Sequence, residues 1–227
     1  MFMCPKKIMT ATPGFLWALA FAASAETLSV GSAASGVEAK ASTRIERPAI
    51  VPAVALSGEM LLAALQRGGL VLYLRHTETG AITEQCNVSN LSPTGKSEAS
   101  ALGKFLKQLR IPIARIASSP ICRVQETAKL LDLGEIELSD ALGNVPKEPG
   151  VDLHAARMRQ IGMAPARGTN TLLVSHMQGG GPPEHDIDLA FGEVIVFRPA
   201  VHGKSEPVAR IRIEDWPALV SAKTLSK

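Results

Sequence analysis

Two arginines and two histidines stand where apolar runs stop. In LVLYLRHTET, residues 70–79, a β-prone run ends in Arg75 and His76; IARIASSPICR ends in Arg123, and TLLVS runs into His176. A charge at the end of a buried strand is tolerable only where the chain leaves the core, and in an α/β sheet those strand ends are where ligands collect. This set of side chains has a natural ligand. Arginine forks match phosphate oxygens with paired, charge-assisted hydrogen bonds and keep their charge at any relevant pH. A neutral imidazole beside them can attack phosphorus through a ring nitrogen. The cations oppose protonation of that imidazole and then offset charge on the transferring phosphoryl group. A helix starting just after SPICR would add backbone N–H donors.

The elements that must carry these residues can be read from pattern. Ser57 is the N-cap expected for EMLLAALQR, where Met60, Leu61, Ala64 and Leu65 share a helical face and Gly68 and Gly69 mark the stop. The strand LVLYL follows. SPTGKSEASALGKFLKQLR starts at Ser92 with Pro93 next, and sets Ala99, Leu102, Phe105, Leu106 and Leu109 on one face. Then come the strand IARIAS, the loop SPICR, the helix VQETAKLLDL, the strand EIEL, the helix HAARMRQIG and the strand TLLVS. GEVIVFRP and VARIRIED read as a closing hairpin at the sheet edge. This order predicts an α/β fold, a three-layer sandwich with a mainly parallel central sheet and helices on both faces. Parallel strands point their C-terminal ends the same way, so the loops bearing Arg75, His76, Arg123 and His176 converge on one rim.

Composition allows this and excludes other classes. The chain has 227 residues, 46% hydrophobic and 20% charged, with a net charge of +3 from 24 basic and 21 acidic residues. No clustered basic face with stacking aromatics is present, which argues against a nucleic-acid partner. Residues 1–25 read as a signal peptide: Lys6 and Lys7, an apolar run from Ile8 to Ala22, then Ala23, Ser24 and Ala25 as a cleavage site before Glu26. The run, interrupted by Pro13 and Gly14, is short for a membrane span. The expected location is therefore periplasmic or secreted, with no stable membrane span after processing. Residues 26–56 read as a flexible leader rich in Ala, Ser and Gly, and 57–227 as the single folded domain. Cleavage removes Cys4 and leaves Cys86 and Cys122, an even pair that suggests one disulfide in an exported protein, although two free thiols fit the spacing equally.

YLRHTET, RIASSPICRVQETA and LLVSHMQGG, taken in order, resemble the three motifs of the histidine phosphatase superfamily, whose branches include phosphoglycerate mutases; LSPTGKSEASALG is similar to the segment between the first two. The resemblance spans roughly residues 68–200. It implies a phosphohistidine intermediate on His76, a phosphate held by Arg75 and Arg123, a supporting hydrogen bond from His176, and no metal or organic cofactor. Thr77 stands where the family usually has Gly, the large insertion of the mutases is absent, and Met177 replaces the Asp of the acid-phosphatase branch. The general acid is thus unplaced, with Glu78, Glu148, Glu184 and Asp186 as candidates. The compact architecture looks most like the small phosphohistidine-phosphatase branch and the exported sugar-phosphatase branch. The expected substrate is a phosphomonoester, on a small molecule such as a sugar or on an envelope glycolipid.

Competing chemistries fit less well. A cysteine-dependent phosphatase needs Arg six positions after its Cys, where this chain has Ser92 and Ala128. His176, His185, Asp186 and Asp188 lack a recognisable metal-ligand spacing, and no G-x-G-x-x-G follows the first strand. The serious alternative is a non-catalytic periplasmic protein of the same fold that binds a phosphate ligand without turnover.

Overall fold

The computed structural model describes residues 55–83, 86–177, 188–200 and 204–225, all within one compact unit, Glu46–Lys227. The signal peptide and nearly all of the leader expected from the sequence lie outside the described residues. Among the described residues, eight strands and five helices follow in the order α1 Gly58–Arg67, β1 Val71–Arg75, β2 Thr79–Thr83, β3 Cys86–Leu91, α2 Pro93–Gln108, β4 Ile113–Ser118, α3 Cys122–Leu131, β5 Ile136–Leu138, α4 Leu153–Gly162, β6 Asn170–Ser175, β7 Val194–Arg198, β8 Glu206–Ile211 and α5 Trp216–Leu225. Short 3₁₀ turns cover Asp140–Leu142 and Ile213–Asp215.

Six strands form one sheet in the order β5-β4-β6-β1-β7-β8. The pairs β4/β5, β4/β6 and β1/β6 are parallel, whereas β7 runs antiparallel to β1 and β8 closes the edge as its hairpin partner. Alternation along the strands divides the core. Leu72, Leu74, Leu172, Val174, Val194 and Val196 face the buried leucines of α1, α2 and α3 and Trp216 of α5, while Val71, Tyr73, Leu173, Ile195 and Phe197 face Ile161 of α4 with Leu142 and Leu189. Helices therefore cover both faces, unequally. These buried residues on β1, β6 and β7 all pair in register, so a one-residue slip would exchange the two cores.

The local signals behave as their chemistry dictates. Ser92 caps α2 by accepting from the Gly95 N–H at 3.0 Å, with Pro93 opening the helix. Gly68, at φ 81, ends α1; an added Cβ there would come within 2.5 Å of Thr169 N, so only glycine fits. Three expectations need correction. Met60 is 65% exposed, because the buried stripe of α1 runs through Leu61, Leu62 and Leu65, one position further on. Ser57 occupies the N-cap position of α1 without a side-chain bond to the helix. The helix after SPICR starts at Cys122, so Arg123 lies in its first turn and not in the preceding loop. The β2–β3 hairpin and α5 are additional elements.

Candidate active site

The parallel strands β1, β4 and β6 end side by side, with Arg75 paired to Ser175 and Ser118 to Val174. The backbone continues this alignment past the strands: His76 N–H donates to Ser175 O at 3.0 Å and Ser119 N–H to Val174 O at 3.1 Å. Arg75, His76, Arg123 and His176 consequently line one cavity of about 300 Å³, together with Asn144, Arg157 and Met177. The four residues singled out by sequence are thus brought together. That volume is at the lower end for small-molecule sites.

His76 is 5% exposed, and its ring is held at both nitrogens. Nδ1 lies 2.9 Å from the Thr77 carbonyl oxygen, which can only accept, so Nδ1 carries the proton and Nε2 the lone pair. Arg123 Nε–H donates to that Nε2 at 3.2 Å. Burial, more than the neighbouring Arg123 and Arg75 cations, pushes the His76 pKa down to about 4, against a partial upward pull from the Thr77 carbonyl. At neutral pH the imidazole is uncharged, with its free lone pair directed toward an arginine. His176, 7% exposed, stands edge-on to His76 with ring centroids 5.7 Å apart, and its Nε2 is 3.0 Å from Ser119 Oγ. Burial, followed by His76, Arg123 and Arg157, lowers its pKa to about 3.

Contacts behind these side chains hold them in place. Thr127 of α3 accepts from Thr77 N–H at 3.3 Å and donates to Arg123 O at 2.9 Å, tying the β1 loop to the helix that carries Arg123. Arg75 Nη1 donates to Leu189 O, and the Phe191 ring lies 3.8 Å from its Cζ. Burial lowers the pKa of both Arg75 and Arg123 from the ordinary arginine value; such a group remains a cation at any relevant pH.

Sequence reasoning missed Arg157, Asn144 and Ser119. Arg157 is 8% exposed on α4 and hydrogen-bonds the phenol of Tyr73 from the sheet face below. In HAARMRQIG it reads as an ordinary helix-surface cation, and only α4's packing onto the sheet turns it inward. Ser119 had a weak signal, its place beside the strand end in IASSPICR. The candidate acids do not gather here. Glu78 accepts from Ser92 Oγ at 2.6 Å and Glu148 is exposed; neither lines the cavity, and Glu184 and Asp186 lie outside the described residues. Glu193 is 1% exposed and engaged by Arg210. Among the described residues no three of His, Cys, Asp and Glu cluster as metal ligands. Cys122 is disulfide-bonded, one residue before Arg123. The Cys86 side chain lies outside the described residues.

Residues 71–145, which contain Arg75, His76 and Arg123, match the family model for the histidine phosphatase superfamily (branch 1). Comparison with curated proteins returns no match. Among solved structures, the protein histidine phosphatase SixA complexed with tungstate is similar at 16% identity and TM-score 0.46, over 64% of this chain and 98% of that one. The phosphohistidine phosphatase SixA from Nakamurella multipartitia gives 15% identity and TM-score 0.47 over 63% and 95%. A phosphoserine phosphatase mutant from Entamoeba histolytica in complex with phosphoserine gives 16% identity and TM-score 0.44 over 64% and 98%.

Proposed function

We propose that this protein is an exported phosphatase that hydrolyses a phosphomonoester through a phosphohistidine on His76. The observation that carries the reading is the His76 ring: proton on Nδ1, lone pair on Nε2, charge suppressed by burial, and the Arg123 and Arg75 cations close by. The substrate phosphoryl group would displace the Arg123 contact from Nε2. Nε2 would then attack phosphorus as the ester oxygen leaves, with the Arg75 and Arg123 forks holding the equatorial oxygens and His176 beside them. Water would attack the phosphohistidine in a second step, releasing phosphate and restoring the free imidazole. No step calls on a metal or organic cofactor.

Leaving-group chemistry narrows the class. The described lining holds three arginines and two histidines of low pKa and no carboxylate, so it offers no ready proton donor to a departing alkoxide near neutral pH. That composition suits an ester whose leaving group needs little protonation. A phosphorylated sugar or the head group of an envelope glycolipid, met after export, is the substrate class we favour; its alkoxide does need a proton, for which Glu184 and Asp186, outside the described residues, are the candidate donors. The same lack of a carboxylate supports the second reading, a phosphate-ligand-binding protein without turnover. Hydrolysis of p-nitrophenyl phosphate separates them, because its leaving group is good enough to dispense with an acid. Turnover in wild type and none in His76→Ala supports the enzyme; phosphate binding without turnover in either supports the binding protein.

A further inference from the structure

Arg75 is held from a direction that the three strand-end loops do not explain. Its Nη1 donates to Leu189 O, its Cζ lies 3.8 Å from the Phe191 ring, and its backbone N–H donates to Glu193 O at 3.0 Å. All three partners belong to residues 189–193, the strap that leads into β7. The strap is in turn anchored from β8. The buried Glu193 carboxylate takes the Arg210 fork, with Nη2 to Oε2 at 2.8 Å and Nε on Oε1, and also accepts from Ala190 N–H at 2.7 Å. Arg210 Nη2 further donates to Asp188 O at 2.6 Å, and Gly192 N–H to His76 O at 3.2 Å. Gly192 itself, at φ 68, holds a backbone conformation that residues with a side chain rarely adopt.

The way the strap grips Arg75 is selective. Nη1 is taken by a carbonyl and one face of the guanidinium by a ring, whereas Nε is buried and has no hydrogen-bond partner among the described residues. The edge formed by Nε and Nη2 is the one that presents two parallel N–H bonds to a tetrahedral anion. Phe191 also touches the nucleophile candidate, its ring centroid 5.5 Å from that of His76.

We propose that the 189–193 strap is the positioning device of Arg75, and that Phe191 sets phosphate affinity through its aromatic face by turning the Nε–Nη2 edge toward the ligand. The inference rests on the phosphate reading of the cavity. A ring that merely filled space could be replaced by another apolar side chain of similar size, but a ring that orients a cation cannot.

Titration calorimetry with inorganic phosphate tests this without requiring turnover, using the mature chain as wild type, Arg75→Ala, Phe191→Leu and Phe191→Tyr, with thermal unfolding of each. Wild type should bind and Arg75→Ala should lose most of that binding. Phe191→Leu should bind about 5- to 30-fold more weakly, the range a cation–π contact supports, while Phe191→Tyr stays close to wild type. Arg210→Lys, which keeps a charge on Glu193 but not the fork, should weaken phosphate in the same direction and covers the case in which Phe191→Leu does not fold. Equal affinity in Phe191→Leu and wild type, or equal losses in the Leu and Tyr variants, would overturn the strap while leaving the phosphate reading intact. Absence of phosphate binding in wild type would overturn both.

Discussion

His76→Ala removes one imidazole and should bring p-nitrophenyl phosphate hydrolysis to the uncatalysed level, since Nε2 is the group that would make the bond to phosphorus. Arg123→Ala leaves the nucleophile but removes a charge-assisted donor, and a loss in kcat of about a hundredfold or more is expected from steady-state assay. The acid side of the pH profile is more specific. An ordinary histidine gives up its reactive form below about 6.5, but burial lowers His76 to about 4. The kcat/KM profile, corrected for substrate ionisation, should therefore hold on the acid side down to about pH 4. An acid limb near 6.5 would mean that His76 is not the buried neutral base described here. These roles were legible because strand-end charges stand out against apolar runs. Arg157 was not, because nothing in its local pattern separates a helix cation facing the sheet from one facing water.

At the scale of elements, two close approaches carry the site. Gly95 in the first turn of α2 sits against the Glu78 carbonyl, where an added Cβ would come within 2.1 Å, and Gly103 sits against the Leu131 carbonyl of α3, within 2.0 Å. Both contacts are backbone and cannot swing away. Gly103→Ala should destabilise the fold by about 1–3 kcal/mol, read from urea unfolding. It should do so despite alanine's better helix propensity, and a neutral or stabilised variant would contradict the packing of α2 on α3. Most elements followed from periodicity and stop signals. The β2–β3 hairpin did not, because TGAITEQCNVSNL has neither regular alternation nor an Asn-Gly or Asp-Gly turn. Pro217, in the first turn of α5, was a usable start signal, standing two residues past the run VARIRIED that reads as a strand.

Across the whole molecule, two buried histidines link stability to pH. Both folded pKa values lie below the ordinary 6.5, at about 4 for His76 and about 3 for His176, so between these limits the unfolded chain binds more protons than the folded one. Their contribution is fully present above pH 6.5, is lost progressively as pH falls through this window, and levels off below about 3. Denaturation midpoints should thus fall on acidification from 6.5, and His176→Asn should flatten the slope. Saturating phosphate should flatten it too, since a bound anion favours the charged rings. Export and oxidation belong to the same scale. Edman sequencing of the protein recovered from the cell envelope is expected to start at Glu26. Thiol titration of that denatured, unreduced protein should find no free cysteine, consistent with Cys122 being bonded and with Cys86 as the partner we propose. Recovery of two thiols would reject the pair.

The measurement that bears most directly on the central claim is mass spectrometry of the mature protein quenched at alkaline pH during turnover of p-nitrophenyl phosphate, with fragmentation to locate the label. The account predicts an acid-labile, base-stable phosphoryl group on His76, absent from His76→Ala. Turnover with no phosphoryl group on His76, or with the label on another residue, would contradict it.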